Sequence, residues 1–365
     1  MKLPKLITQT KPFTPNIEDY FDKIRYMFDV SWFTNHGKFV TEFEQKMAEY
    51  FDSKYFVLVT NGTIAIQLAI RALGLKGEII TTPFSYVATT SSIVWENCIP
   101  IFADISLTNL NIDCSKIETL ITDKTSAILA TNVFGYPCDF SALKKIAEQY
   151  NLKLIFDNAH GFGSKKNGQS LMNFGDVSTI SFHATKLFHS IEGGGISCNS
   201  KDTYEKLLLL RNFGHTSPIS FDGLGINAKM NEVCASMGLC NYPYIDKILI
   251  TRKNQWQYYF NHIINKKITK LIYKNIDIEY NHAYFPIILD SEITTLKLYD
   301  FLLNNNIQTR RYFYPSLNKL NYVDYISCKN SENISSRILC LPLYFDLTEE
   351  EQSIICELIN NFKIW

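Results

Sequence analysis

The chain has 365 residues, of which 46% are hydrophobic, so it can bury a large core and is long enough for two domains. Its 36 lysines and arginines balance 36 acidic residues, and no basic stretch with interleaved aromatic residues occurs, which argues against a nucleic-acid-binding surface. The nine cysteines form no CxxC pair, which argues against a zinc site or a disulfide framework. Because no signal peptide and no apolar run of ~18 residues is evident, we predict a cytoplasmic protein without a membrane segment.

Strands and helices alternate between about residues 55 and 240. The predicted strands are 55–59, 78–82, 100–104, 126–131, 152–156 and 177–182, and the predicted helices are 63–73, 85–96 and 139–150. This alternation indicates an α/β fold with a mostly parallel sheet that is covered on both faces. Ligands of such sheets bind beyond the carboxyl ends of the strands, so the residues that follow each strand are the candidates for a site.

The first predicted strand is followed by a turn of small residues, Asn61-Gly62-Thr63, and then by a helix. Free backbone N–H groups and the positive end of the helix dipole make such a turn an anion site, to which Thr63 adds a hydroxyl. The same turn also occurs as an ordinary helix start, so this signal is weak by itself. The next strand leads to Tyr86, which could stack on a cofactor ring or lie in the core like many of the 21 tyrosines.

Asp157 and His160 follow the predicted strand 152–156. A carboxylate at this place could keep the ring nitrogen of pyridoxal phosphate (PLP) protonated, which makes the ring an electron sink. The alternative for Asp157 is a cap that opens a helix or turn, and the alternative for His160 is a structural histidine.

The strand 177–182 runs into the sequence SFHATK, which presents Ser181 and Lys186, and then into Glu192 and three glycines. A lysine amine at this place suits imine formation with an aldehyde cofactor, with the Ser181 hydroxyl as a donor to its phosphate. The glycines would let the backbone pass close to a bound group. The alternative for the lysine is a solvated surface charge.

The pattern changes in the C-terminal part of the chain. We predict one long helix around 228–265, strands at 283–289 and 307–314, and helices at 294–305 and 348–362, with a capping box at Thr348. An Asn-Gly pair predicts a hairpin turn within 163–170. These elements indicate a large domain at 1–245 and a small α+β domain at 246–365. The arginines of the sequence TRRYFYP could belong to a substrate pocket or be solvated.

Several of these motifs together resemble those of the DegT/StrS-type nucleotide-sugar aminotransferases, which have the PLP fold type I of aspartate aminotransferase. The likeness extends from about Trp32 to Tyr344. The motifs that carry it, in chain order, are Asn61-Gly62-Thr63, the segment 83–90, Asp157 to His160, SFHATK with EGGG, and the segment 225–232. The resemblance implies a mostly parallel mixed sheet in the large domain, a small α+β domain, and PLP as the cofactor.

The resemblance also implies a role for each matching residue. Lys186 matches the Schiff-base lysine, Asp157 the partner of the ring nitrogen, and His160 the residue that approaches the phenolic oxygen. The remaining matches are Gly62, Thr63 and Ser181 for phosphate contacts, Tyr86 for ring stacking, and Asn227 for the phosphate of the neighbouring subunit's cofactor. A homodimer with composite active sites is therefore implied. Two departures, Phe213 where the family has histidine and Lys229 where it has arginine, leave the specificity open.

The activity implied by the resemblance is transfer of an amino group from glutamate to a keto nucleotide sugar. Residues 7–12 and 31–35 look most like those of members that aminate C4 of dTDP-4-keto-6-deoxyglucose, giving dTDP-4-amino-4,6-dideoxyglucose for O-antigen or related surface polysaccharides. The alternatives are an enzyme acting on a 3-keto nucleotide sugar, a PLP-dependent sugar dehydratase, and a PLP-binding regulator without turnover. The dehydratases have histidine in place of the lysine, so Lys186 argues against that alternative.

Overall fold

The structure is a computed structural model that describes residues 5–272 and 276–363. The strands are β1 (Tyr55–Val59), β2 (Glu78–Thr81), β3 (Ile99–Phe102), β4 (Thr125–Thr131), β5 (Lys153–Asp157), β6 (Lys165–Lys166), β7 (Gln169–Ser170), β8 (Val177–Ser181), β9 (Gly194–Cys198), β10 (His215–Ser217), β11 (Ser220–Phe221), β12 (Thr269–Lys270), β13 (Ile278–Glu279), β14 (Pro286–Ile288) and β15 (Ile338–Cys340). The helices are α1 (Ile17–Val30), α2 (Lys38–Phe51), α3 (Gly62–Ala72), α4 (Val87–Trp95), α5 (Phe140–Gln149), α6 (Lys201–Arg211), α7 (Glu232–Asn241), α8 (Ile245–His262), α9 (Glu292–Asn304), α10 (Lys329–Arg337) and α11 (Glu349–Asn361).

A seven-stranded sheet with the order β1-β9-β8-β5-β4-β2-β3 forms the centre of the molecule. Its pairs are parallel from β8 to β3, and only β9 runs against its two neighbours β1 and β8. The predicted α/β fold with a mostly parallel, mixed sheet is therefore confirmed. All six predicted strands are present within two residues of the expected bounds.

Helices cover both faces of this sheet, as the apolar strands require. On one face, Ile79 packs with α3 residues such as Ile66, and on the other face its neighbour Ile80 packs with α5 residues such as Leu143. The alternation of successive side chains between the two faces explains why adjacent isoleucines belong to different cores. The sheet is thus held rigidly between two apolar layers, and its strand ends are fixed in position.

The C-terminal part contains a second, three-stranded antiparallel sheet with the order β12-β14-β15. Its core joins residues of α8, α9 and α11, such as Tyr259, Leu298 and Ile355. Ile7 forms a bridge with Ile307, so the N-terminal segment also packs here. The domain boundary at residues 245 and 246 coincides with the start of α8 and stays a prediction.

Two predictions for this part were wrong. The expected long helix over 228–265 is divided into α7 and α8 by a short 3-10 turn at Tyr242–Tyr244 that contains Pro243, because proline lacks the N–H donor that an α-helix interior needs. The expected strand at 307–314 is absent from the described chain, where only Ile307 and Arg310 form isolated bridges. The predicted strand at 283–289 is reduced to β14, whereas α9 and α11 appear where expected.

Local signals for turns and caps were read correctly. Lys165–Lys166 and Gln169–Ser170 pair as a hairpin, and Asn167 and Gly168 between them have φ values of 52° and 73°. The Thr348 capping box of α11 is present, with hydrogen bonds in both directions to Glu351. Four of the described helices, α1, α2, α6 and α10, were not predicted. Within the described residues, none of the helices has the length and apolar character needed to cross a bilayer.

Candidate active site

A cavity of about 370 Å³ lies beyond the carboxyl ends of β1, β5 and β8. Seven of the eight predicted site residues line it: Gly62, Thr63, Tyr86, Asp157, His160, Ser181 and Lys186. The strand register explains why they meet, because Gly194 pairs with Val59 at the end of β1 and with Ser181 at the end of β8. The structure thus brings these residues together, while the chemical role of each stays a prediction.

Asn227 is the predicted residue that does not line the cavity. Its side chain is exposed, and its backbone forms an isolated bridge with Asn212. An exposed position outside the cavity of its own subunit is compatible with the expected contact to a second subunit. That contact stays a prediction.

Lys186 is half-buried in the cavity wall. Burial lowers the pKa of its ammonium group from the ordinary value of 10.5 to about 8, since burial disfavours the charged form. Arg310 lowers this pKa further, and Asp157 opposes both effects. A substantial fraction of Lys186 is therefore a neutral amine near pH 8, which is the form that can act as a nucleophile.

Asp157 is buried at the end of β5, and both of its oxygens are held. Oδ2 accepts a hydrogen bond from the Thr89 hydroxyl at 2.8 Å, and Oδ1 accepts one from the backbone N–H of Ala159 at 3.0 Å. Burial raises the pKa of this carboxyl, whereas the two hydrogen bonds and Lys186 lower it. The bond to Ala159 is the turn contact that was the alternative for this residue, so Asp157 both holds the turn and lines the cavity.

His160 is buried against aromatic rings. Its ring is stacked on Phe313 at a centroid distance of 5.4 Å and an interplanar angle of 8°, and it meets Tyr284 edge-on at 4.8 Å. Burial, and next Lys186, hold the pKa of the imidazole well below its ordinary value, so the ring is neutral. Its Nδ1 is buried and has no hydrogen-bond partner in the described chain, which is unusual for a purely structural histidine.

The turn from β1 to α3 passes directly beside the end of β8. The Asn61 side chain caps α3 by accepting a hydrogen bond from the Ile64 N–H at 2.9 Å. A Cβ atom on Gly62 would lie 2.8 Å from Ser181 Cβ, so only glycine allows this approach. The first N–H groups of a helix lack internal partners, and here they lie next to the Ser181 and Thr63 hydroxyls. This arrangement is suited to bind a phosphate.

The glycines after Glu192 were expected to let the backbone approach a bound group, and the structure assigns them another purpose. A Cβ on Gly194 would collide with the backbone of Asn61, and one on Gly195 would collide with the Phe56 ring. These glycines therefore allow β9 to pack against β1 and the turn that follows it. Their effect on the site is indirect, because they determine how closely β9 approaches the turn after β1.

Nine further residues of the described chain line the cavity, and none of them was among the predicted site residues. They are Asn61, Ile66, Ala88, Ala159, His183, Thr185, Glu192, Arg310 and Tyr312. His183 and Glu192 stood inside the motifs SFHATK and EGGG, so their position was available as a signal. For Arg310 the sequence alone does not decide between a pocket and solvent, and the structure places this residue at the cavity.

Comparisons with known proteins agree with this geometry. Residues 16–360 match the model of the DegT/DnrJ/EryC1/StrS aminotransferase family. The chain belongs to this family. A relative from Shigella dysenteriae, named dTDP-4-amino-4,6-dideoxy-D-glucose transaminase, is 38% identical over 99% of this chain and 100% of its own. A relative from Aneurinibacillus thermoaerophilus, named dTDP-3-amino-3,6-dideoxy-alpha-D-galactopyranose transaminase, is 30% identical over 92% and 93% of the two chains.

Among solved structures, DesI in the presence of its TDP-sugar product superimposes with a TM-score of 0.93 at 27% identity, covering 98% of this chain and 93% of DesI. Family membership makes the protein a PLP-dependent aminotransferase. The residues of the cavity fit PLP. The start of α3 offers N–H groups and neighbouring hydroxyls to a phosphate, a carboxyl group and a neutral histidine with an unpaired nitrogen lie after β5, and an amine of lowered pKa lies at Lys186.

Proposed function

We propose that the protein transfers the amino group of glutamate to C4 of dTDP-4-keto-6-deoxyglucose, giving dTDP-4-amino-4,6-dideoxyglucose for a surface polysaccharide such as O-antigen. The observation that carries this proposal is the 38% identity over the full length of the Shigella dysenteriae relative, whose name describes a transaminase of this sugar. The cavity supports it by containing the predicted lysine, aspartate and phosphate-binding residues.

In this proposal the start of α3, Thr63 and Ser181 bind the phosphate of PLP, and Asp157 pairs with the ring nitrogen. Bound PLP supplies an electron sink for the bond between the donor's α-carbon and its hydrogen. Asp157 is fixed by Thr89 and Ala159, so its carboxylate would stabilise the protonated ring nitrogen without reorganisation.

Lys186 serves as the acid–base group once its amine is free. It would take the proton from the α-carbon of the donor, the bound cofactor would hold the amino group and the electron pair between the two half-reactions, and Lys186 would then deliver a proton to the accepting carbon of the sugar. A pKa of about 8 suits both directions near neutral pH, because the group can give and accept a proton without a large energetic cost. The neutral imidazole of His160 can form a hydrogen bond to the ring substituent that faces it.

The alternative substrate is a 3-keto nucleotide sugar, because the Aneurinibacillus relative is named as a transaminase of a 3-amino sugar. A dehydratase is disfavoured because Lys186 is present in the cavity where those enzymes have histidine. A regulator without turnover would need neither the amine of lowered pKa nor the fixed carboxylate.

The test is to incubate the purified protein with PLP, glutamate and a panel of 3-keto and 4-keto nucleotide sugars, and to identify the products by mass spectrometry and NMR. We expect amination at C4 of the dTDP-linked 6-deoxy sugar. Amination at C3, or of a GDP-linked sugar only, would replace the proposed substrate. Formation of 2-oxoglutarate reports the donor, and omitting glutamate is the control.

We further propose that the enzyme is a homodimer in which Asn227 reaches the phosphate of the cofactor bound by the neighbouring subunit. The exposed position of Asn227, outside its own cavity, supports this. Lys186→Ala and Asn227→Ala chains should each be poorly active alone and should recover activity in part when mixed and reassembled, because one hybrid site receives both intact residues. A fully active monomer would contradict the dimer, and a dimer without complementation would place Asn227 in its own site.

A further inference from the structure

The segment between β8 and β9 folds back on itself beside the cavity. Its two arms are joined by backbone hydrogen bonds from Phe182 N–H to the Gly193 carbonyl at 2.8 Å and from Ala184 N–H to the Ile191 carbonyl at 2.7 Å. Lys186 lies within this loop. The side chains of His183 and Glu192, one on each arm, meet at the cavity wall.

The hydrogen bonds of His183 fix the direction in which it donates. Its Nδ1 accepts a hydrogen bond from the backbone N–H of Thr185 at 3.2 Å and lies 2.8 Å from the Thr185 hydroxyl, which can also donate to it. A neutral imidazole has one acceptor and one donor nitrogen, so the proton is on Nε2. Nε2 lies 3.3 Å from Glu192 Oε1, so the N–H group of His183 is next to the carboxylate and attracts it electrostatically.

The backbone before Glu192 is strained. Ile191 has a φ of 67°, which places a β-branched residue in the left-handed region. A non-glycine residue of this type is an outlier there, and such strain persists where the surrounding structure requires the conformation, often at functional sites. The conformation of Ile191 sets the direction of the next residue, Glu192, whose carboxylate lines the cavity.

The charge of Glu192 limits what can bind next to it. The lysine and the arginine of the cavity lining, Lys186 and Arg310, together with the start of α3, attract phosphates and carboxylates, whereas Glu192 repels them. Both oxygens of Asp157 already accept hydrogen bonds at the cavity floor, whereas the carboxylate of Glu192 in the cavity wall is half-exposed and can accept a hydrogen bond from a ligand. A neutral ligand group with hydroxyl donors fits this position.

We propose that Glu192, oriented by His183, accepts a hydrogen bond from a ring hydroxyl of the sugar in the nucleotide-sugar substrate and so selects for that sugar. This inference rests on the proposed function. It gives His183 the part of a positioning residue and Glu192 that of a specificity-determining residue.

The test compares the affinities of the PLP-loaded protein for dTDP-glucose and for dTDP, which lacks the sugar, by calorimetric titration. GDP-mannose and GDP form a second pair, in case the nucleotide differs from the proposed one. We expect Glu192→Gln to weaken binding of the nucleotide sugar about tenfold, as for a hydrogen bond to a charged group, and to leave binding of the bare nucleotide unchanged. Unchanged nucleotide binding also shows that the variant is folded.

The matched control is Glu205→Gln, the same substitution on α6, where the half-exposed Glu205 lies outside the cavity lining and pairs with Lys201 at 3.6 Å. It should change neither affinity. His183→Ala should weaken binding of the nucleotide sugar, but less than Glu192→Gln does. His183→Gln retains an N–H donor and should keep most of the affinity. The double variant Glu192→Gln with His183→Ala should bind the nucleotide sugar no more weakly than Glu192→Gln alone. The half-reaction with glutamate is measured in the unaltered protein, Glu205→Gln and Glu192→Gln, so that an effect on the donor is distinguished from an effect on the nucleotide sugar.

If Glu192→Gln loses affinity equally for the nucleotide sugar and for the bare nucleotide, or loses affinity for neither, the inference is overturned and the proposed function remains intact. A loss confined to the glutamate half-reaction would also overturn it, because Glu192 would then contact the donor's ammonium group. If neither nucleotide sugar binds to the unaltered protein, the proposed function fails and the inference fails with it.

Discussion

Two walls of the cavity differ in how firmly their polar groups are held. The sheet wall is formed by Asp157 and Ser181 at strand ends and by Lys186 in the loop after β8. These residues are buried or half-buried, and both oxygens of Asp157 are hydrogen-bonded. The C-terminal wall, formed by Arg310 and Tyr312, has a fixed backbone, paired with Cys340, but an exposed guanidinium. That guanidinium lies 4.4 Å from the Tyr312 ring centroid and has no ion pair in the described chain.

We infer from this difference that the two walls serve different functions. Groups that must act on one bond benefit from being preorganised, since no energy is then spent on reorienting them during the reaction. A cation on the opposite wall can adjust to anionic substrates of different shape. The comparison is sharpened by variants on each wall.

The largest effect is expected for Lys186 on the sheet wall. Lys186→Ala and Lys186→Arg should abolish transamination, because alanine has no amine and arginine cannot deprotonate to form an imine. In the unaltered protein, borohydride reduction and peptide mass analysis should locate a pyridoxyl group on Lys186. Its appearance on another lysine would remove Lys186 from the reaction.

The second largest effect is expected for Asp157. Asp157→Asn should still bind PLP, because the start of α3 and Ser181 hold the phosphate, but the rate should fall by ~10²–10³ with the loss of a strong electrostatic partner. Stopped-flow measurement of the half-reaction with glutamate checks this rate, and absorbance checks the cofactor. Unchanged turnover would leave Asp157 with its turn contact alone.

On the C-terminal wall, Arg310→Gln should raise KM for the anionic substrates about tenfold with a smaller change in kcat, because a charged hydrogen-bond donor is lost. Arg311→Gln is the matched control. Arg311 does not line the cavity and is paired with Glu292 at 2.7 Å, so its removal should affect stability rather than KM. A similar effect of both variants would refute the distinction between the walls.

The smallest effect concerns the pH at which the cofactor-free protein takes up PLP. Lys186 must be neutral to react, so uptake should rise with pH, with a midpoint at about 8 instead of the ordinary 10.5. Asp157 raises the pKa of Lys186 and Arg310 lowers it. Asp157→Asn should therefore move the midpoint down, and Arg310→Gln should move it up, as followed by absorbance. Shifts in one common direction would contradict this assignment.

The sheet and its strand-end residues could be predicted from the sequence because their signals are local. A short apolar run defines a buried strand, and the residue that follows it is placed at the sheet edge by topology alone. For this reason the sequence alone predicts Asp157, Ser181 and Lys186 as site residues, although it does not show their mutual positions. The role of the glycines could not be foreseen, since it depends on how β9 packs against β1.

The C-terminal wall depends on contacts between distant parts of the chain. The segment around Arg310 has the composition of a strand, yet its backbone pairs with Ile7 on one side and Cys340 on the other at single points. Period and propensity carry no information about such bridges. The same limit applies to Glu192, whose direction is determined by the left-handed backbone of Ile191.

The bridge between Ile7 and Ile307 also has a consequence for the order of folding. Ile7 exchanges backbone hydrogen bonds with Asn306 and Gln308, Gln9 accepts one from Leu343, and the Phe13 carbonyl lies 2.8 Å from His189 Nε2 in the loop that carries Lys186. On the ribosome, residues 7–9 are made long before their partners at 306–343. The central sheet can therefore form during synthesis, whereas the segment around Ile7 cannot pair until residues 306–343 have emerged.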